Sequence, residues 1–128
     1  MKLEEMIDIG VLKSIKNPTG EQYEIHMHQP ELTFMGVEDQ PDYGVLDLFM
    51  YPGKRLVELR SLKKYLQQYR MVVISYERFA DTVFKHLMEV YEPAYLRLVL
   101  SLNPRGGISS TITIDSKVRE EAKAQKES

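Results

Sequence analysis

An α+β fold, a four-stranded antiparallel sheet with two helices on one face, is what this sequence predicts, and three observations point to it. Apolar and polar residues alternate around residues 21–28 and 108–114. Apolar residues recur at helical spacing over residues 62–69 and 79–91. Turns rich in proline and glycine separate these stretches, so the order reads strand, strand, helix, helix, strand, strand.

The first strand runs from Glu21 to His28, with Tyr23, Ile25 and Met27 on one side and Gln22, Glu24, His26 and His28 on the other. That is the period of a half-buried strand. After Pro30 the sequence predicts a loop holding Glu38, Asp39, Gln40, Pro41 and Asp42. Tyr43 to Tyr51, rich in aromatic and β-favouring residues, reads as the second strand and is closed by Pro52-Gly53. Ser61 is the expected cap of the first helix, whose Leu62, Tyr65, Leu66 and Tyr69 form one apolar stripe ending near Arg70. Ser75 caps the second, Phe79, Val83, Phe84, Leu87 and Tyr91 carry its stripe, and Pro93 stops it. Tyr95 to Ser101 and Ile108 to Ile114 give the last two strands around the turn Asn103-Pro104-Arg105-Gly106-Gly107. Residues 1–20 read as a polar leader closed by Asn17-Pro18-Thr19-Gly20, residues 21–115 as the folded domain, and residues 116–128 as a charged, flexible tail.

A chain of 128 residues holds one core. With 43% apolar and 28% charged residues it matches folded soluble proteins, which excludes a disordered or fibrous chain. Its 17 basic and 19 acidic residues leave a net charge of −2. That balance lacks the basic footprint that releases phosphate counterions, so no direct nucleic-acid partner is expected. The absence of cysteine excludes disulfides, thiolate nucleophiles and cysteine zinc sites. No run approaches the roughly 20 apolar residues of a membrane span. The acidic, mixed stretch Met1 to Ile9 does not resemble a signal peptide, and a cytoplasmic protein with no membrane partner is expected. A four-stranded sheet with open edges invites pairing with further copies, so a homo-oligomeric ring is expected as well.

Among chemistry-bearing residues, His26 and His28 lie two apart on one side of a strand, a spacing found in metal sites. Two ligands without a third fall short of a closed site, and no metal is expected. His86, beside Lys85, reads as a surface residue, and Asp8, Glu38, Asp39 and Asp42 as solvated acids.

Three stretches carry a resemblance. The run Glu58-Leu59-Arg60-Ser61-Leu62-Lys63-Lys64-Tyr65 resembles the signature of the 7-cyano-7-deazaguanine reductases, the nitrile reductases of queuosine biosynthesis, a tRNA modification; Arg60 and Lys64 depart from it. Gln40-Pro41-Asp42-Tyr43 is similar to the sequence that follows that family's nucleophile, and Pro104-Arg105-Gly106-Gly107-Ile108 to a further family stretch. The resemblance covers about Asn17 to Asp115. It implies the tunnelling fold, whose ββααββ units pair edge to edge into oligomeric barrels with active sites between subunits. It implies NADPH as cofactor, handled by Arg60, Lys63 and Arg105, and a deazaguanine, guanine or pterin ring as ligand, gripped by Glu77 beside Tyr76 with Glu58 and Ser61 in the same substrate-binding set. Asp42 falls where the family has its proton donor.

The departures concern chemistry more than binding. In these reductases a cysteine stands seven residues before that aspartate and attacks the nitrile carbon to form a thioimide; here the position is Met35. A thioether has no ionisable proton and cannot supply a thiolate. Tyr76 replaces a histidine, exchanging a group that titrates near neutrality for a phenol and a stacking surface. A carboxylate at Glu77 can accept two parallel hydrogen bonds from a ring N–H and an exocyclic amine, the edge shared by guanine-like and pterin-like rings. In a helix's first turn the same residue also complements the macrodipole. The expectation is a reductase-like protein that keeps a ring pocket at subunit interfaces and lacks the covalent route. A noncovalent enzyme on a related ring and a non-catalytic binding subunit stand as the alternatives, so turnover is left open.

Overall fold

The computed structural model describes residues 6–37 and 41–127, apart from the side chain of Arg105. Gln40 of the second motif and the acids Glu38 and Asp39 lie outside the described residues. In chain order the elements are β1 (Ser14–Lys16), β2 (Ile25–Met35), β3 (Pro41–Tyr51), β4 (Arg55–Val57), α1 (Leu59–Gln67), α2 (Tyr76–Tyr91), β5 (Tyr95–Arg105), β6 (Ile108–Asp115) and α3 (Ser116–Glu127). The main sheet has the order β2-β3-β5-β6, each neighbouring pair antiparallel, and β1 with β4 forms a separate two-stranded ribbon.

Period-two alternation builds this sheet as the sequence predicts. Leu46, Leu48, Met50, Leu96, Leu98 and Leu100 are at most 1% exposed, while the residues between them face the other side and are partly open. At about 25 cal/mol per Å² of apolar surface removed from water, burying this face stabilises the packing of sheet against helices. Gly44 marks a close approach in the sheet: a Cβ there would meet the carbonyl oxygen of Ser101 at 2.8 Å. Helix α2 keeps the expected boundaries. The Ser75 hydroxyl accepts from the Arg78 N–H at 3.3 Å, and Glu92 ends the helix at φ 44 just before Pro93.

The sequence-based reading differs from the structure in several places, among them Asp42, which is not a solvated loop acid but a buried residue of β3. Strand β2 starts at Ile25 and not at Glu21, and it does not stop before Pro30 but runs on to Met35, because a register shift between Gln29 and Leu32 accommodates the proline on an edge strand, where its missing N–H costs no ladder bond. Helix α1 is capped by Glu58, whose carboxylate oxygens accept from the N–H groups of Arg60 at 3.0 Å and Ser61 at 2.9 Å; Ser61 lies inside the helix. Residues 6–20, the described part of the expected leader, are built into the domain: Ile7 and Leu12 are 6% exposed in the core, and β1 pairs with β4. Its fastenings come from far away in sequence. The Ser61 hydroxyl accepts from Lys13 N–H at 2.9 Å, and the Tyr91 hydroxyl donates to the Lys13 carbonyl at 2.7 Å. Finally, the charged tail from Ser116 is helical as α3, held where Arg119 pairs with Asp81 at 2.7 Å and lies over the Phe84 ring.

Between the helices and β2 sits an aromatic cluster. Phe34 stacks on Phe79 at 4.7 Å between centroids, and Tyr69 meets Phe79 edge-on at 4.8 Å. The buried hydroxyls satisfy one another, Tyr65 to Tyr69 at 2.7 Å and Tyr65 to His86 Nδ1 at 2.6 Å. Burial pushes both phenols above their ordinary pKa, Tyr69 to about 12, and it holds His86 below the usual imidazole value against the opposing pull of Glu89. His86 is therefore a half-buried member of the core network and not the surface residue its neighbours imply.

Candidate active site

The end of the β2–β3 hairpin meets the start of α2, and this junction gathers part of the expected site. Strand β2 closes against the segment before the helix: Met35 N–H donates to the Val72 carbonyl and the Met35 carbonyl accepts from Ile74 N–H, both at 3.0 Å. One register step away, Asp42 pairs with Phe34 on the helix side. Its carboxyl is buried, 4% exposed, and its Oδ1 accepts from the Tyr76 hydroxyl at 3.3 Å. Tyr76 is half-buried and meets Phe34 edge-on at 5.9 Å. Glu77, next along the first turn of α2, is exposed.

Asp42 and Tyr76 thus come together with Glu77 beside them, but Met35 does not join them in the way a nucleophile would. Met35 pairs with Pro41, and the pleat sends successive residue pairs to opposite faces, so its side chain leaves the hairpin on the side away from Asp42. Its backbone is also pinned between two neighbours.

The signature run lies elsewhere, on α1. Glu58 and Ser61, expected with the substrate, are engaged in the fold. Glu58 caps the helix, and the Ser61 hydroxyl, 4% exposed, donates to the Glu58 carbonyl at 2.7 Å while accepting from Lys13. Arg60 and Lys63 are exposed one turn apart on the same helix, and neither is in an ion pair with a described residue. Two such cations suit a phosphate or pyrophosphate, so the donor set fits the phosphates of a nicotinamide dinucleotide. Lys63 also borders a groove of about 330 Å³ between β2 and α1, with Ile25, Leu48, Leu59 and Leu62 in its walls. The backbone of Arg105 closes β5 near the turn at Gly106 and Gly107; its side chain lies outside the described residues.

Sequence reasoning missed one cluster of ionisable side chains. His28 pairs with Asp47 across β2 and β3, and a single Asp47 oxygen lies 2.6 Å from His26 Nε2 and 2.7 Å from His28 Nδ1. Burial raises the Asp47 carboxyl, but hydrogen bonds from His28 and His26 outweigh it and hold the pKa below its ordinary value. The alternation of β3 already sets Asp47 apart from Leu46 and Leu48; what no local pattern gives is the register that brings it to the histidines.

A family model described as QueF-like protein matches residues 41–121. The chain is 34% identical over 116 residues to the NADPH-dependent 7-cyano-7-deazaguanine reductase of Prochlorococcus marinus (strain MIT 9313), covering 87% of this chain and 84% of that one. This chain belongs to the QueF-like family. It is also 34% identical over 122 residues to the reductase of the same name from Synechococcus sp. (strain CC9902), covering 91% and 87% of the two chains. With that from Nitrosospira multiformis (strain ATCC 25196 / NCIMB 11849 / C 71) it shares 37% over 106 residues, 81% and 76% of the two. The crystal structure of the archaeosine synthase QueF-Like in its apo form superposes with a TM-score of 0.64 at 12% identity, covering 76% of this chain and 94% of that one. That likeness shows the fold, and the α+β tunnelling fold implied by the sequence motifs is the fold of this QueF-like chain. The family match begins at Pro41, downstream of Met35. No helix among the described residues is long and apolar enough to cross a membrane.

Proposed function

We propose that this QueF-like protein holds a flat guanine- or pterin-type ring at the start of α2 and does not reduce a nitrile through a covalent thioimide. One observation carries the reading: buried Asp42 is bonded to Tyr76, the adjacent Glu77 offers an exposed carboxylate, and the sequence contains no cysteine. Glu77 takes the N–H and amine edge of the ring, Tyr76 gives a stacking surface, and Asp42 fixes the phenol. Arg60 and Lys63, with Arg105, hold the phosphates of NADPH, which when bound supplies a hydride. The names of the relatives support this ring class and cofactor. Because Glu77 is exposed within one chain, a second copy completes the pocket, and assembly through the open sheet edges β2 and β6 supplies that copy.

A second reading, noncovalent chemistry on a related deazapurine or pterin with Asp42 as acid or base, is favoured by the burial of Asp42 against a partly open phenol. Without such turnover the chain is a binding protein or a non-catalytic subunit of a mixed barrel.

Calorimetry with 7-cyano-7-deazaguanine, guanine and pterins, with and without NADPH, tests the proposal. The expected result is ring binding that Glu77→Ala abolishes, with the circular dichroism spectrum preserved, and no oxidation of NADPH. Steady NADPH oxidation dependent on the nitrile overturns the chemical half; ring affinity unchanged in Glu77→Ala overturns the anchor. A new product formed from a bound ring, lost in Asp42→Asn, selects the second reading.

A further inference from the structure

Away from the ring site, the sheet face that α1 and α2 leave open carries a second constellation. We infer that His26, His28 and Asp47 form a binding site for one divalent transition-metal ion of the zinc class. The three ligand atoms all lie within 4.8 Å of one another, and they come from two neighbouring strands whose pairing fixes their spacing. His26 and His28 share a face by the two-residue period, and Asp47 is the cross-strand partner of His28.

Two imidazoles and a carboxylate are the donor set of open zinc and iron(II) sites, with positions left for water or a ligand. Seating a tetrahedral ion with arms of about 2.0–2.1 Å spaces its ligand atoms by roughly 3.3 Å. The rings, now 2.6 Å and 2.7 Å from Asp47 Oδ1, must move outward from that oxygen while their two nitrogens, within 4.8 Å of each other, settle at the same spacing, and side chains 46% and 53% exposed have room for it. The surroundings hold the donors ready. His26 stacks on Phe49 with centroids 4.3 Å apart and planes 11° apart, and the Arg97 guanidinium covers that ring at 4.0 Å. A ligand ring fixed in this way gives up little freedom when the ion arrives.

A half-buried carboxylate beside two exposed histidines is also the makeup of an ordinary surface cluster, and stoichiometry separates the two. Chelator-treated full-length protein is titrated with Co²⁺, followed by Zn²⁺. The expected result is one Co²⁺ per chain, with the visible absorption of a tetrahedral or five-coordinate ion, displaced by Zn²⁺. His26→Ala, His28→Ala and Asp47→Asn should each weaken Co²⁺ binding by about 100-fold or more, since even indirect contacts to a metal are worth about 10–100-fold. Because all three positions are at least partly open, the variants should unfold at nearly the midpoint of the parent without metal. Failure to reach one equivalent per chain, or affinity unchanged in all three variants, overturns the inference. The readout is metal binding alone, so it stands or falls separately from ring recognition at Glu77.

Discussion

The two faces of the main sheet make opposite use of the same strands. Toward the helices, β3 and β5 present Leu46, Leu48, Met50, Leu96, Leu98 and Leu100, closed off from water. One residue along in each case, Asp47, Phe49 and Arg97 turn the other way into a half-open surface where charge, imidazole and aromatic rings meet. A single strand therefore fixes a dry core and a chemically equipped surface at once. The difference teaches that stability and reactivity need not compete for the same side chains when the period is two. The proposed ring site has no such separation: Asp42 lies on the helix side, within the packed layer, and its neighbour Tyr76 meets Phe34 edge-on.

The largest test of this contrast lies in the aromatic cluster. Phe79 is fully buried between Phe34 and Tyr69, so Phe79→Ala should cost about 3–5 kcal/mol in urea unfolding. Asp47→Asn, on the open face, should cost less than about 1 kcal/mol without metal. Equal losses would break the division between the faces. Next in size is Ser61→Ala, which removes the acceptor for Lys13 N–H in a part-buried setting and should cost about 1–3 kcal/mol. Hydrogen exchange should then speed up in residues 6–16 before it does in β3. A change confined to ligand affinity, with stability intact, would return Ser61 to the substrate.

The smallest effect is a pH dependence. The folded pKa of His86 lies below its unfolded value near 6.5, so the unfolded chain binds the proton first as pH falls. Its stabilisation is fully present above the unfolded pKa and is lost as pH falls from there toward the folded value. Denaturation midpoints between pH 7 and pH 5 should decline less steeply in His86→Gln than in the parent; parallel curves would remove His86 from the account.

How much of this was legible depended on the distance over which each cause acts. Helix α2 was readable to the residue because Ser75, its apolar stripe and Pro93 are local signals. So was the order of the four long strands, and with the motifs the tunnelling fold. Other features were not. Ile7 and Leu12 have no periodic neighbours, and the groups fastening Lys13 sit on α1 and α2. Pro30 reads as a strand end unless the register shift that tolerates it is known. Of the proposed site, Asp42, Tyr76 and Glu77 were named from motif positions, and the structure adds that Asp42 meets Tyr76 and that Met35 faces away. Asp47 could not be joined to His26 and His28, because their meeting is a property of strand pairing.

The bonds around Ser61 carry a lesson for motif matching. A glutamate three residues before a serine can be kept because a helix must start there and an upstream strand must be tied down, whatever the surface above it once did. In this chain both side chains are tied into the architecture, and a test of lost or changed chemistry is best aimed at Glu77, whose carboxylate no described part of the fold employs.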